Sequence, residues 1–494
     1  MNALAKILAW PAEDDDGLGL ALWDAVEIAR AVRGVVVGQF QVSGIEIDSR
    51  DVVPGDLFFA LKGEAMDGHK FVPMAFARGA AAVVVDRPVD GPHVLVDDTS
   101  VALELLAKAA RCRTAAQIIG VTGSVGKTGV KEAIFAALDR SSRGQAHRSV
   151  KSYNNHVGVP LSLARMPARA KFGIFEMGMN HAGEIAVLTR QVRPNVAVIT
   201  AIAPAHIEML GSEEAIADAK AEIFQGLEGF GEVGGGIAIV PADSPHYARL
   251  KDAADKHKVT LVSFGRAPQA SVRLLDAVPA PGGGSLVTAD LGDRRICFTV
   301  AEPGAHWVAN SLAVMAAVRA AGGDLGAAGL ALAELPGLKG RGARTWLAAR
   351  GGDGAGRALL IDESYNANPA SMRATLAQLG QTPARRRIAV LGAMKELGEH
   401  GPAYHGALIE PLIEARVDHA ILVGPEMRAL ADELGKPGQA SLGKAPGFAH
   451  CESARDAQQC LRELGMEGGD AILVKGSNSV GLGALVAALA QQED

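Results

Sequence analysis

A chain of 494 residues exceeds what a single hydrophobic core organises, so two to three domains are expected. An apolar share of 48% beside 21% charged residues fits an ordinary enzyme of the α/β class, and 4% aromatics with abundant Ala and Gly suits close helix–sheet packing. A net charge of −6 without a long basic run argues against a nucleic-acid partner. The opening MNALAKILAWPAEDDD turns acidic after a short apolar run, so neither a signal peptide nor membrane insertion is expected, and the chain reads as cytoplasmic. Cys112, Cys297, Cys451 and Cys460 show no C-x-x-C spacing and read as buried reduced thiols rather than a disulfide frame or zinc site.

Along the chain, short β-branched runs alternate with helix-like stretches, the pattern of parallel α/β sheets. The first region carries expected strands at 44–48, 56–61, 80–86 and 93–97, then a helix over 101–113. The second opens with a strand at 117–121, a glycine turn and a helix running to residue 138. Strands at 172–177, 196–201 and 237–240 follow, and 266–299 reads as an irregular, strand-rich insert. The Gly-rich passage 335–342 sets off a third region with strands at 358–362, 387–391, 419–423 and 471–474. No repeat of fixed period occurs, and three α/β domains are expected at 1–113, 114–336 and 337–494.

The stretch Ile118-Ile119-Gly120-Val121-Thr122-Gly123-Ser124-Val125-Gly126-Lys127-Thr128 is the most informative. Glycines let backbone N–H groups approach a polyphosphate, and the following helix N-terminus adds partial positive charge. Lys127 would reach the outer phosphates and Thr128 would hold Mg²⁺. The loop is G-x-x-G-K-T, shorter than the common form, which would place glycine where Val121 stands. Glu176 ends an apolar strand, where a carboxylate serves as a Mg²⁺ ligand or, equally, as a helix cap or ion-pair partner. His206 takes the matching place after the next strand. Lys220 lies on a helix-like stretch, and nothing in its surroundings selects it over Lys131.

Asp362-Glu363-Ser364-Tyr365-Asn366-Ala367-Asn368-Pro369 crowds polar groups at a strand end, which suits a ligand site or an Asx-turn that caps the next helix. His306 and Asn310 are four residues apart and share one helix face. A P-loop kinase would use the same loop but release no free phosphate. A nucleotide-switched binding module would need the loop without paired metal ligands at Glu176 and His206.

Taken in order, these pieces resemble the Mur ligases, ATP-dependent amide-bond-forming enzymes of peptidoglycan precursor synthesis, over almost the whole chain. Ile47-Asp48-Ser49-Arg50, Pro54-Gly55-Asp56-Leu57-Phe58-Phe59-Ala60-Leu61-Lys62-Gly63 and Asp67-Gly68-His69 resemble the family's uridine-nucleotide domain. The short loop 122–128 is similar to the family's own ATP loop. Asn154-Asn155-His156-Val157-Gly158-Val159-Pro160-Leu161, the stretch 176–185 and Tyr365-Asn366-Ala367-Asn368-Pro369 are similar to the members that add D-alanyl-D-alanine. Members that add the third amino acid carry an Asp-Asn-Pro-Arg type motif, whereas Asn368-Pro369 here precedes Ala370-Ser371.

The resemblance implies an N-terminal uridine-nucleotide-binding α/β domain, a central P-loop ATPase-like parallel sheet and a C-terminal Rossmann-like domain. It implies ATP, a UDP-N-acetylmuramoyl tripeptide and D-alanyl-D-alanine as substrates, Mg²⁺ as cofactor, and a monomer. Carried over by position, Gly123, Ser124, Val125, Gly126, Lys127 and Thr128 bind ATP phosphates, and His306, Asn310, Arg341 and Asp362 surround adenosine. Thr128, Glu176, His206 and Lys220 serve the metal, Lys220 as a carbamate, and Lys127, Lys220 and His206 serve catalysis. Ser49 and Arg50 face the uridine substrate, and Tyr365 and Asn366 the dipeptide. Departures from the family pattern stand at Gly129, Ala393, Lys395 and Asn478.

Overall fold

Short β-branched strands, most of the interior ones buried on both faces, build three large sheets and a two-stranded one (Trp23–Asp24 with Gln41–Val42) in a computed structural model that describes residues 21–63, 66–205, 207–229, 235–281, 283–349, 356–436 and 444–491. In the first unit the five-stranded order is Val35–Val37, His93–Leu95, Ala82–Val85, Asp56–Phe59, Gly44–Glu46. Leu57, Phe59, Ala82 and Val84 point to one core, and Phe58, Val83 and Val85 to the other. The unit docks on the second through Trp23, whose Nε1 donates to Ala164 O at 2.9 Å beneath the Arg113 guanidinium. Arg165 also donates to Ile45 O and pairs with Glu46.

The second unit is a nine-stranded sheet centred on Gln117–Thr122, flanked in parallel by Phe172–Glu176 and Val196–Ile199. Chain order reverses across this central strand, which opens a crevice at the carboxyl ends of the three strands. The Lys127–Ser142 and Ala305–Ala320 helices bury Ile119 and Val121 on one face. Ile118 and Phe175 pack with the Glu184–Val192 and Glu213–Ala221 helices on the other. The segment expected as an irregular, strand-rich insert is strand-rich and more ordered than expected: Val272–Pro279, Ser285–Asp290 and Arg295–Val300 extend the sheet as an antiparallel meander, with one register shift between Leu274 and Asp276. Its strands alternate buried and exposed residues along an outer margin, so no continuous apolar run marks them.

The third unit has the order Ala343–Ala348, Arg357–Glu363, Asp470–Lys475, Arg386–Gly392, His419–Val423, Gly447–Cys451, parallel apart from the first strand. Cys112 and Cys297 correct one expectation, being exposed at a helix end and on an open strand face; all four cysteines are free thiols. Among the described residues no helix is long and apolar enough to cross a membrane.

The middle of the third sheet is clamped by Arg386, which donates to both oxygens of Asp470 at 2.9 and 2.6 Å. The Asp470 side chain is fully buried and also accepts from Glu467 N. Losing it removes a bidentate ion pair and a backbone contact at the head of the strand that carries Lys475, while Arg386 keeps Gly465 O and Glu467. Asp470→Ala is expected to lower the unfolding free energy by roughly 2–3 kcal/mol in urea titration; an unchanged midpoint would count against the clamp.

Candidate active site

Gly123 and Gly126 bracket a tight loop between the central strand and the Lys127–Ser142 helix, with φ of 147° and 87°. A Cβ at Gly123 would lie 2.0 Å from Thr200 Oγ1, and one at Gly126 would press on the Asn310 amide at 3.1 Å. Only glycine allows both the turn and these approaches. The loop is fastened to the next strand end: Ser124 N donates to Ala201 O, Ser124 Oγ to Ala203 O, and Thr200 Oγ1 to Val125 O. Lys127 Nζ donates to Gly123 O at 2.7 Å and so lies folded over the loop. Burial holds its pKa below the ordinary lysine value, with Glu176 opposing and Arg341 reinforcing that shift.

Glu176 is 1% exposed and its two oxygens are separately engaged. Thr128 Oγ1 donates to one at 2.9 Å, and Asn154 Nδ2 to the other at 2.8 Å. Lys131 Nζ stands 4.0 Å away and also donates to Ser149 O and Lys151 O. Lys131 and Lys220 are both buried, yet their surroundings differ. Lys131 meets two carbonyls and Glu132, whereas the side-chain amine of Lys220, a residue 2% exposed, makes no hydrogen bond or ion pair among the described residues. Burial, and then the charge of Lys127, drive the Lys220 pKa well below the ordinary value, favouring the neutral amine. His206 lies outside the described residues.

Hydroxyl and carboxylate oxygens within 2.9 Å of each other form the hard donor set that suits Mg²⁺, an ion that keeps several waters and binds phosphate oxygens. Among the described residues there is no group of three or more His, Cys, Asp or Glu side chains placed to hold a metal by themselves.

The third unit reaches this crevice through residues 337–342. Arg341 Nη2 donates to Ser152 Oγ at 3.1 Å, and the guanidinium lies 4.2 Å from the Tyr365 ring centre. Asp362 accepts from Gly340 N at 2.8 Å and from Ser364 N and Oγ, so its carboxylate shapes the junction through backbone contacts. Asn368 caps the Pro369–Gln381 helix in a capping box with Ser371, as one sequence reading allowed. Tyr365 is 40% exposed, and Asn366 O accepts from Lys475 Nζ, which also pairs with Glu363 at 3.3 Å. His306 opens the Ala305–Ala320 helix, its pKa held low by burial against the pull of Glu363.

The structure therefore gathers Gly123, Ser124, Val125, Gly126, Lys127, Thr128, Glu176, Asn310 and Arg341 about one loop. Ser49 and Arg50 sit apart in the first unit. Ser49 is buried against Met74, and Arg50 is paired with Asp48 at 2.6 Å while pointing to solvent. Lys131, Asn154 and Ser149 were not singled out as site residues. Lys131 is one helical turn beyond Lys127, and that spacing is the signal that could have found it. Gly129, one of the departures from the family pattern, faces the Trp307 indole, where a Cβ would come within 3.0 Å and press on the ring. Ala393 is buried and bonded through its backbone to Val423 and Ser477, and Lys395 turns toward Glu426.

Three family descriptions match consecutive parts of the chain: "Mur ligase family, catalytic domain" at 41–120, "Mur ligase middle domain" at 121–318 and "Mur ligase, glutamate ligase domain" at 352–478. The chain belongs to the Mur ligase family. Within it, the chain is 37% identical over 466 residues to the UDP-N-acetylmuramoyl-tripeptide--D-alanyl-D-alanine ligase of Synechocystis sp., covering 91% of this chain and 92% of the relative. The enzyme of that name from Escherichia coli is 34% identical, covering 91% and 94%. Among solved structures, MurF from Acinetobacter baumannii superposes with a TM-score of 0.78 at 29% identity, covering 95% of this chain and 99% of that one. The MurF ligase of Thermotoga maritima in complex with ADP gives 0.69 at 26%, covering 91% and 97%.

Glu302, 7% exposed beside the 337–342 junction, is pushed up to about 7 by burial, with Arg344 pulling down and Glu363 pushing up. The folded protein thus keeps a proton that the unfolded chain loses near 4.5, so this group makes stability fall as pH rises from 4.5 to 7. Glu302→Gln is expected to remove that slope, gaining up to ~3 kcal/mol on the wild type across the window. Parallel stability–pH curves for the two proteins would refute the assignment.

Proposed function

We infer that this chain is an ATP-dependent amide-bond ligase that joins D-alanyl-D-alanine to a UDP-N-acetylmuramoyl tripeptide, yielding the pentapeptide precursor of peptidoglycan. The observation that carries the reading is the buried Glu176 carboxylate held 2.9 Å from Thr128 at the mouth of the short glycine loop, in a chain 37% identical to an enzyme of that name. The three sheets support a division into a uridine-nucleotide unit (1–113), a central ATP unit (114–336) and a C-terminal ligase unit (337–494).

A carboxylate is a poor electrophile, so the tripeptide's terminal carboxylate first attacks the γ-phosphorus of ATP, releasing ADP and leaving an acyl phosphate. The dipeptide amine then attacks the acyl carbon, and phosphate departs as the amide closes. The loop N–H groups from Gly123 to Gly126 cradle the phosphates, and Lys127 leaves Gly123 O to follow the transferring group. Thr128, Glu176, His206 and Lys220 would hold Mg²⁺, which supplies charge neutralisation at the phosphoryl oxygens. A neutral Lys220 amine captures CO₂, turning a repelled cation into an anionic oxygen donor; its burial and low pKa support this role. Arg341, His306, Asn310 and Asp362 lie toward adenosine, Ser49 and Arg50 toward the uridine substrate, and Tyr365 and Asn366 toward the dipeptide. Rotation about 337–342 brings the third unit over the acyl phosphate and excludes water. The substrates are soluble small molecules, and we assign a cytoplasmic monomer.

Purified protein with Mg-ATP and the tripeptide substrate is expected to release phosphate only when D-alanyl-D-alanine is present, with a pentapeptide product of matching mass. Release independent of the dipeptide would point to another amine substrate, and no release to a kinase or switch. Lys127→Ala is expected to lower kcat by at least ~10²-fold with little change in fold, because the lost charge acts on the transferring phosphoryl group. Small-angle scattering should contract when all ligands are added; an unchanged profile would reject closure about 337–342.

A further inference from the structure

At the far edge of the third sheet, the Gly447–Cys451 strand ends beside the Ala454–Leu464 helix. Cys451 closes the strand and Cys460 lies in the second half of the helix, so the turn brings two thiols together. Their Sγ atoms are 3.2 Å apart. A disulfide needs sulfurs about 2 Å apart, so an approach of roughly 1 Å within side-chain reach completes one. Cys451 is buried at 6% exposure, whereas Cys460 is half-buried. Cys460 also lines a cavity of about 240 Å³ together with His419, Phe448, Glu463 and Leu464. That cavity gives a small oxidant a route to one sulfur and not the other.

We propose that Cys451 and Cys460 are an oxidation site in which a hydroperoxide converts the dithiol to a disulfide, Cys460 reacting first and Cys451 resolving it. The Cys460 thiolate attacks the peroxide, breaking the O–O bond and leaving a sulfenic acid and an alcohol, or water from hydrogen peroxide. The Cys451 sulfur then displaces hydroxide from Cys460, and its own proton leaves with that hydroxide as water. Two thiols and one hydroperoxide thus give one disulfide, one alcohol and one water. Burial and the bond to Cys460 push the Cys451 thiol up to about 12, which disfavours it as the first nucleophile and fits the resolving role.

The bond would fasten the helix to the strand end whose Cys451 O already accepts from Gly424 N at 2.9 Å. Neither thiol belongs to the phosphate site. Cys112 and Cys297 are exposed, with no second thiol beside them among the described residues, and serve as internal controls.

The test treats reduced full-length protein with hydrogen peroxide, with and without dimedone, then alkylates and digests it with trypsin without reduction. Cleavage after Arg455 separates the two cysteines, so the bond appears as a joined pair of peptides that a reductant splits. The expected result is that joined pair, with dimedone retained on Cys112 and Cys297. In Cys451→Ser, trapping at Cys460 should rise several-fold; in Cys460→Ser, Cys451 should stay unlabelled. Oxidised Cys112 with Cys451 and Cys460 both still alkylated would overturn the proposal. Equal trapping of Cys451 in Cys460→Ser would overturn the order of attack. The wild-type cross-link is read independently of how either variant folds.

Discussion

Removing a carboxylate from water at the end of a parallel strand is costly unless its oxygens are individually engaged, and the crevice of this protein is arranged around that constraint. Glu176 is buried because Phe172–Glu176 runs between two other strands, and its oxygens are met from two directions, by Thr128 on the phosphate-loop helix and Asn154 on the segment before the next helix. Those partners fix where the loop can sit. Ser124 and Thr200 then tie the loop to the neighbouring strand end, so both walls of the crevice are set by the same few bonds.

Two buried lysines of the central unit, one of them 4.0 Å from this carboxylate, illustrate how context assigns different chemistry to one residue type. Lys131 is saturated by Ser149 O, Lys151 O and Glu132, which make it a cross-brace under the loop. Lys220 is enclosed with another cation as its main electrostatic neighbour, an environment that favours the uncharged and therefore nucleophilic amine. Lys127 stands between these roles, held on a backbone carbonyl that a phosphate oxygen can outcompete.

The interior strands were legible because both faces are buried: 419–423 was read with the bounds His419–Val423 that the sheet shows, and 172–177 ends one residue beyond Phe172–Glu176. Val35–Val37, Ala146–Arg148, Ala343–Ala348 and Gly447–Cys451 escaped notice, and all four lie at sheet edges, the first a run of only three valines and the others mixed in side-chain character. Thr260–Gly265 was also missed although it is internal. At the site, the glycine loop and Glu176 announce themselves locally. The difference between Lys131 and Lys220 does not, because it depends on carbonyls and charges that only the folded chain assembles. Asp362 carries the same lesson: its neighbours in sequence suggest a ligand contact, and only the folded chain shows that its oxygens also accept from Gly340 and Ser364.

The contact of Gly129 with Trp307 has an evolutionary corollary. A bare backbone at 129 and a large ring at 307 occupy one shared volume, although they belong to helices nearly two hundred residues apart in the chain. Neither position is free to drift alone. Any side chain placed at 129 presses on that ring, so its cost is set by how far Trp307 can shift or shrink, and the two positions are expected to vary together.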